Sequence, residues 1–135
     1  MPFELSIVTP QGQSYHGKVD SVVLPGSEGD FGVLPDHQRF LSPLRIGAVE
    51  ISSAEEHLHA AIAEGFVEVG EGRVVVLAES CELADEIDVA KAELDRERAR
   101  EGLDALNRDE DEERYAQYEA ALAHAHARLE VSEKK

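Results

Sequence analysis

The stretch LPGSEGDFGVLPDHQRFLSPL, residues 24–44, carries the densest backbone punctuation in the chain. Its glycines and prolines are Pro25, Gly26, Gly29, Gly32, Pro35 and Pro43. Glycine permits positive φ angles and proline fixes φ, so this composition favours tight turns. Apolar residues such as Phe31, Val33 and Leu34 stand between them. Because a flexible tether would lack such anchors, we predict a folded loop system attached to a core.

The residues on both sides of this stretch, up to about residue 84, show the periodicity of β-strands. Apolar residues alternate over residues 3–7, and one further strand, with Gly47 as a bulge, is predicted over residues 44–51. Gly70–Gly72 predicts a hairpin turn, and the near-continuous apolar run Arg73–Ala78 predicts a strand buried on both faces. Short strands at regular spacing, with turn signals between them, indicate a β-sandwich or a flattened barrel.

A change of periodicity near residues 82–88 divides the chain into two parts. Residues 1–84 are predicted to form the β domain and residues 85–135 a helical domain. In the second part alanine, leucine, glutamate and arginine dominate, and glycine almost vanishes. The predicted class is therefore mainly β followed by α.

Two helices are predicted in the second part. One runs from its cap residue Asp88 to about Leu106, and the other, capped by Asp109 or Asp111, runs to about Val131. A short polar break separates them, so the two helices must form an antiparallel hairpin.

Small residues dominate the stripes on which the two helices are predicted to meet. Residues recur every seven positions at Ala92, Ala99 and Leu106 in the first helix, and at Ala116, Ala123, Leu122 and Leu129 in the second. A buried leucine stabilises by about 1.5–3 kcal/mol and an alanine methyl by about 0.8 kcal/mol. Gly102 costs the first helix roughly 1 kcal/mol. Two interpretations stay open: an ordinary stable hairpin, or an element that can leave its docked position.

Charge limits the classes of partner. Twenty-nine acidic residues against thirteen basic ones give a formal net charge of −16. A nucleic acid or an anionic membrane surface would repel this charge, so we expect protein partners, no nucleic acid and no direct lipid insertion.

The single cysteine, Cys81, excludes an internal disulfide and stands among acids that make a thiol less reactive. No apolar run approaches the roughly 20 residues of a membrane-spanning helix, and no targeting signal is visible at the N-terminus. We therefore expect a soluble chain and a structural cysteine.

The basic residues are concentrated in the helical part. They include Arg96, Arg98, Arg100, Arg114 and Arg128. These residues could meet an acidic partner. Alternatively, they form solvated i,i+3 pairs such as Glu93 with Arg96 and Glu97 with Arg100.

No catalytic site can be assembled from the sequence. GSEGDFG lacks the lysine of a phosphate-binding loop, and its acids would repel phosphate. His57 and His59 share one face of a predicted strand and could grip a metal weakly, whereas His124 and His126 point apart on a helix. We interpret His37 as a loop residue that makes hydrogen bonds, and we predict no catalytic residue and no metal cofactor.

The opening stretch, with the order of β domain and helical hairpin, resembles the epsilon subunit of bacterial-type F-type ATP synthases, called delta in mitochondria. The family's PGxxGxxGxLPxH run is met by Pro25, Gly26, Gly29, Gly32, Val33, Leu34, Pro35 and His37. An L-x-x-G turn follows at Leu44 and Gly47. Gly65–Val69 and Val74–Ala78 match the family's next hairpin, and Ile87-Asp88 opens its helical region. The resemblance covers essentially the whole chain.

This resemblance implies a ten-stranded β-sandwich with a C-terminal two-helix hairpin, and a role as a non-catalytic rotor subunit in the central stalk. The sandwich would couple the c-ring to the gamma subunit for proton-driven ATP synthesis, with Glu28, Asp30, His37 and Arg39 as contact candidates. The protein would lie peripherally on the cytoplasmic face of the plasma membrane.

The hairpin would be the regulatory part. Folded on the sandwich in one state, it would extend in the other toward the catalytic alpha and beta subunits and inhibit ATP hydrolysis. With this resemblance, the alanine-rich stripes and Gly102 favour the interpretation of a hairpin that moves.

Some members of the family bind ATP in the folded hairpin. Their motif is matched here by Glu82, Ile87, Asp88, Ala92 and Arg128, whereas Lys91 replaces an arginine and His124 falls where another arginine would stand. Lysine lacks the bidentate fork of arginine, and neutral histidine lacks its charge. We therefore expect weak or absent ATP binding and no other cofactor. The alternative function is a free-standing nucleotide sensor that binds ATP in the hairpin.

Overall fold

The computed structural model describes residues 2–134, and Met1 and Lys135 lie outside the described residues. Within that range the chain forms ten strands followed by two helices. The strands are β1 (Phe3–Thr9), β2 (Gly12–Val19), β3 (Ser21–Gly26), β4 (Gly29–Val33), β5 (Phe40–Leu44), β6 (Gly47–Ser52), β7 (His57–Ile62), β8 (Gly65–Gly70), β9 (Arg73–Ala78) and β10 (Cys81–Leu83). The helices are α1 (Val89–Ala105) and α2 (Glu112–Ser132), and a 3-10 turn, Ala84–Glu86, precedes them. The prediction of a β-sandwich followed by a helical hairpin is confirmed.

The strands form one continuous sheet in the order β10-β7-β6-β3-β5-β8-β9-β1-β2, with β4 paired to β3. Neighbouring strands are antiparallel except β1 and β9, which are parallel. The sheet folds over a core in which the inward residues of β1 and β9, Phe3, Leu5, Ile7, Val74 and Val76, are buried. The alternation of buried and less buried residues along β1 explains why its periodicity was visible in the sequence.

The predicted loop system over residues 24–44 is largely strand, so this prediction is wrong in extent. The chain turns at residues 27–28 and again between β4 and β5, and the remaining residues pair with neighbours. Of the glycines in this stretch, Gly29 takes a positive φ of 138°. Pro25 is tolerated in β3, where its carbonyl oxygen accepts a hydrogen bond from the Arg45 N–H at 2.9 Å.

Two other strand predictions are corrected. The predicted strand over residues 44–51 is two strands, because β5 ends at Leu44 and β6 begins at Gly47. The run Arg73–Ala78 is buried on one face only: Leu77 is 52% exposed between the buried Val76 and Ala78. An apolar residue on the outer face made the strand look buried on both sides.

The predicted helix ends agree closely with the structure. Asp88 is the N-cap of α1, and its Oδ1 accepts a hydrogen bond from the Lys91 N–H at 3.1 Å. Asp111 occupies the N-cap position of α2, although its carboxylate accepts instead from the Asn107 N–H at 3.2 Å.

The contact between the helices differs from the predicted stripes. Ala92 and Ala99 are buried as predicted, and Leu122 and Leu129 are half-buried, but Ala116 and Ala123 are exposed. Gly102 has a packing role, since a Cβ built there would lie 2.5 Å from the Tyr118 ring. The glycine therefore lets an aromatic side chain of α2 sit against α1.

The hairpin docks on the sandwich through a second, smaller core. Its buried members are Ala61, Ala84, Ile87, Ala127 and Val131, and the half-buried Ile46 and Ala48 pack against it. Ala48 and Ala61 are partners in the β6–β7 ladder and face outward, while Val49 and Ala60 face the main core. The helix α2 therefore lies on the outer face of β6 and β7.

Candidate functional site

A polar cleft lies between the sandwich and the hairpin. Its volume is about 600 Å³, and its lining includes Glu82 from β10, Asp88 and Lys91 at the start of α1, and His124 and Arg128 from α2. The fold therefore brings together five of the seven candidate ATP-binding residues, although they come from three separate elements.

The other two candidate residues, Ile87 and Ala92, do not line this cleft. Ile87 is 5% exposed and belongs to the second core, and Ala92 on α1 is fully buried. Both residues position the hairpin, and neither presents a polar group to a ligand.

Arg128 is the central charge of the cleft and is itself buried. Its Nη2 donates to Glu82 Oε2 at 3.3 Å, and its Nη1 donates to Asp95 Oδ2 at 3.3 Å. Nε lies 2.7 Å from Glu82 Oε1. The guanidinium therefore joins β10, α1 and α2, and two carboxylates already occupy the positions at which a phosphate would bind.

The remaining charges make the cleft unfavourable for a polyphosphate. Burial lowers the pKa of His124, and the neighbouring Arg128 lowers it further, against the opposing effect of Glu82. The imidazole is therefore neutral near pH 7, and its Nε2 lies 3.4 Å from Ser80 Oγ. The cleft then holds three carboxylates and two cations, which are Glu82, Asp88 and Asp95 against Lys91 and Arg128.

Cys81 also lines this cleft, where its thiol is neutral. Burial raises its pKa to about 12, with smaller contributions from Glu86 and Glu82. A neutral thiol is a poor nucleophile, so the chemistry of the cleft contains no activated sulfur.

The four contact candidates of the sandwich lie at two opposite ends. Glu28 is exposed in the turn between β3 and β4, and Asp30 on β4 forms an ion pair with Arg45. Gly26 of β3 lies opposite Leu44, so this turn is at the end of the sandwich where β5 finishes.

His37 and Arg39 lie at the other end, where β5 begins. His37 holds the connection between β4 and β5 in place. Its Nδ1 lies 2.6 Å from the carbonyl oxygen of Leu34, and its Nε2 lies 2.6 Å from the carbonyl oxygen of Gly70. Its ring packs edge-on against Phe3 at 5.2 Å. Arg39 forms an exposed ion pair with Glu71 at 3.7 Å. The interpretation of His37 as a hydrogen-bonding loop residue is therefore confirmed.

The outer face of the sandwich carries an apolar row that the sequence patterns above did not predict. Pro43, Phe66, Leu77 and Val8 are paired in this order across β5, β8, β9 and β1. Phe66 is 54% exposed, and Leu41 on the same face is 69% exposed. The row borders a shallow groove of about 590 Å³. Leucine and phenylalanine at outward positions of half-buried strands were the signal that could have revealed it.

The basic residues of the hairpin do not form the predicted i,i+3 pairs. Among the ion pairs of residues 2–134, neither Glu93–Arg96 nor Glu97–Arg100 occurs, and α1 instead has the i,i+4 pair Lys91–Asp95 at 3.3 Å. Arg98, Arg100 and Arg114 are exposed and Arg96 is half-buried. In this docked conformation Arg128 is not part of the exposed basic surface.

Comparison with protein families gives two matches that together cover almost all of the chain. Residues 2–84 match the family model "ATP synthase, Delta/Epsilon chain, beta-sandwich domain". Residues 85–133 match the family model "ATP synthase, Delta/Epsilon chain, long alpha-helix domain".

Individual proteins show the same similarity along nearly their whole length. The chain is 44% identical over 131 residues to the ATP synthase epsilon chain of Syntrophobacter fumaroxidans, covering 97% of this chain and 96% of that protein. It is 41% identical over 127 residues to that of Nitratidesulfovibrio vulgaris, covering 94% and 92% respectively.

Among solved structures, a chain of the Euglena gracilis mitochondrial ATP synthase has a TM-score of 0.81 and 24% identity, covering 96% of this chain and 79% of that one. This likeness shows that the fold is shared. Within residues 2–134, no helix is long and apolar enough to cross a membrane.

Proposed function

The chain belongs to the delta/epsilon-chain family of ATP synthases, and on this premise we propose that it couples the c-ring to the gamma subunit as a non-catalytic central-stalk subunit and restrains ATP hydrolysis through its hairpin. It serves proton-driven ATP synthesis and lies peripherally on the cytoplasmic face of the plasma membrane. The two cores of the structure correspond to these two tasks. The sandwich makes the permanent contacts, and the hairpin docked on it is the movable part.

The observation that carries the coupling role is the exposed apolar row on β5, β8 and β9. Large apolar side chains on an outer sheet face mark an interaction site, and centrally placed ones supply most of the binding energy. Phe66 and Leu77 are each more than half exposed and are adjacent in the ladder. We assign this surface to the gamma subunit.

The charged residues at the two ends of the sandwich are assigned to different contacts. Glu28 and Asp30, at the turn between β3 and β4, face the polar loops of the c-ring. Arg39, at the opposite end, contributes to the contact with gamma. His37 acts indirectly, because both of its ring nitrogens already contact carbonyl groups within this chain.

The assignment of the apolar row is tested with Phe66→Ser and Leu77→Ser in one chain, and with Leu94→Ser as the matched control. Leu94 is 48% exposed but lies on α1, away from the row. Loss of two interface anchors is expected to weaken gamma binding by at least about tenfold each. Binding is measured by titrating purified gamma, with circular dichroism to check the fold. Wild-type affinity in the double variant would disprove the assignment.

The observation that carries the inhibitory role is the composition of the second core. Three of its five buried members are alanines, which supply little apolar area, so α2 is held much less firmly than the strands of the sandwich. In the docked state the hairpin permits hydrolysis. When it leaves, the exposed Arg98, Arg100 and Arg114 meet acidic surfaces of the alpha and beta subunits.

Truncation after Glu86 in the reconstituted complex tests inhibition. This variant keeps all ten strands and removes both helices. We expect faster ATP hydrolysis with the sandwich still bound to gamma. Unchanged hydrolysis by a complex that retains the truncated chain would rule out inhibition by the hairpin and leave the coupling role standing.

The second candidate function is nucleotide sensing, favoured by the convergence of five candidate residues on one cleft. Because Arg128 is paired with two carboxylates and His124 is neutral, we propose that ATP binds there weakly. Titration with ATP, followed by amide chemical shifts at Asp88 and Arg128, tests this. Saturation well below cellular ATP concentrations would instead support the sensor, since ligand stabilises the docked state by RT ln(1+[L]/Kd).

A further inference from the structure

A cluster of side chains that could hold a metal ion lies on the outer face of the sandwich, and none of its members lines the polar cleft. Glu50 on β6 is the ladder partner of His59 on β7, and Ser52 is the partner of His57. Residues two apart on a strand point to the same face, so Glu50, His57 and His59 all project outward. The two histidines are adjacent in the sequence pattern, but only the strand register adds the carboxylate.

The three side chains are close enough to share one ion. One ligand atom from each lies within 4.8 Å of the other two, and His57 Nε2 is 2.7 Å from Glu50 Oε1. The imidazole rings of His57 and His59 are stacked, with centroids 5.0 Å apart and planes 12° from parallel. A tetrahedral zinc with bonds of about 2.1 Å needs ligand atoms about 3.4 Å apart, a spacing that falls within the 4.8 Å spanned by this cluster.

One nitrogen of this cluster lacks a partner. His59 Nδ1 is buried and makes no hydrogen bond within residues 2–134. Buried polar atoms normally have a partner, and an orphaned one needs an explanation. A metal ion held between His59, His57 and Glu50 would satisfy it.

The donor set selects the ion. Two imidazoles and one carboxylate suit Zn²⁺, whereas Mg²⁺ and Ca²⁺ prefer oxygen ligands. Three protein ligands also leave a fourth position for water. We propose that Glu50, His57 and His59 form a Zn²⁺-binding site. The proposal does not depend on the function assigned above, since none of these residues lies in the apolar row, the cleft or the second core.

The site adjoins the surface on which the hairpin docks. Ala48 and Ala61, which support α2, lie two residues along the same faces of β6 and β7 from Glu50 and His59. Zinc there cross-links the two strands that carry the docked helix.

Calorimetric titration of the full chain with Zn²⁺, in the presence of excess Mg²⁺ to occupy the acidic surface, tests the proposal. We expect one saturable site, weakened by about tenfold or more in His59→Ala and in Glu50→Gln. His57→Ala is the third ligand variant and is expected to weaken zinc binding in the same way. Because His57 is exposed, this substitution keeps the fold intact even if His59→Ala disrupts it. Co²⁺ is expected to give a tetrahedral spectrum without thiolate charge-transfer bands.

Two control variants separate this site from other donors. His126→Ala removes an exposed histidine of α2, and Cys81→Ser removes the only thiol. Both are expected to bind Zn²⁺ as the unmodified chain does. The proposal is overturned if no saturable binding survives excess Mg²⁺, if His57→Ala and Glu50→Gln bind as tightly as the unmodified chain, or if Cys81→Ser abolishes binding.

Discussion

The substitution Val131→Ala is expected to release the hairpin from the sandwich without weakening the sandwich itself. Val131 is fully buried in the second core, between α2 and the outer face of β6 and β7. The change removes two carbon atoms, each worth about 0.8 kcal/mol of burial, or about 1.6 kcal/mol together. A residual cavity raises the loss to about 2.4 kcal/mol. The equilibrium between docked and free hairpin then shifts roughly fifteen- to sixtyfold toward the free state.

Native-state hydrogen exchange of the isolated chain measures this shift. Amides of α2 should lose about 1.6–2.4 kcal/mol of protection in Val131→Ala, while those of β1 and β9 should keep theirs, because local opening need not involve the main core. Leu94→Ala, a leucine that is 48% exposed on α1, is the control and should change α2 protection little.

The pattern of protection decides between two descriptions of the molecule. If the amides of β9 lost as much protection as those of α2, hairpin and sandwich would unfold as one unit. The second core would then not be a separable contact, and the reasoning from its alanine-rich composition would be refuted.

Three further changes give measurable outcomes. Gly102→Ala should lower the thermal stability of the hairpin, because the added Cβ would lie 2.5 Å from the Tyr118 ring. This clash should outweigh the gain of about 1 kcal/mol in helix propensity. A more stable hairpin would mean that the ring moves aside at little cost. The pKa of His124 is lower in the folded chain than in the unfolded chain, so on acidification the unfolded chain binds the proton first and the folded state loses stability below about pH 6.5. Denaturant titrations should show that this loss is smaller in His124→Gln than in the unmodified chain. Equal losses in the two chains would contradict the prediction. Burial raises the pKa of Cys81 to about 12, so the thiol ionises first in the unfolded chain and the stability of the fold should decrease as the pH rises from about 9 toward 12. The Cys81→Ser chain should lack the part of this decrease that comes from the thiol. Identical alkaline profiles of the two chains would show that burial does not hinder ionisation of the thiol.

The strands that could be predicted from sequence are those with one polar face. β1 alternates cleanly because Glu4 and Ser6, on its outer face, are polar. β9 was misjudged because Leu77 is both apolar and exposed on the outer face of the sheet. β10 has only three residues, too few to leave a periodic pattern.

The glycine- and proline-rich stretch shows a different limit of the sequence. Composition correctly indicated that the backbone turns there, yet β4 and β5 fit between the turns, because pairing with β3 and β8 overrides local preference. The helix boundaries were easier to predict than the strands, because the N-cap residue Asp88 marks the start of α1 in the sequence.

The polar cleft could not have been derived from residue spacing. Glu82 and Arg128 are 46 residues apart, and their ion pair depends on how α2 lies against β10. The same holds for the proposed zinc site, where the spacing of His57 and His59 was visible but Glu50 joins them only through the strand register. Spacing along the chain does not reveal such contacts between distant elements, and it was the family resemblance that grouped Glu82 with Arg128.

The claim that the hairpin inhibits by leaving its docked position is tested most directly by thiol labelling in the reconstituted complex. Ala61 is fully buried beneath α2, so an Ala61→Cys chain in a Cys81→Ser background reports docking by its rate of alkylation. The isolated chain gives the protected rate, and the chain truncated after Glu86 gives the exposed rate. In the complex inhibited for ATP hydrolysis, we predict alkylation near the exposed rate. Alkylation at the protected rate while hydrolysis is inhibited would contradict the claim.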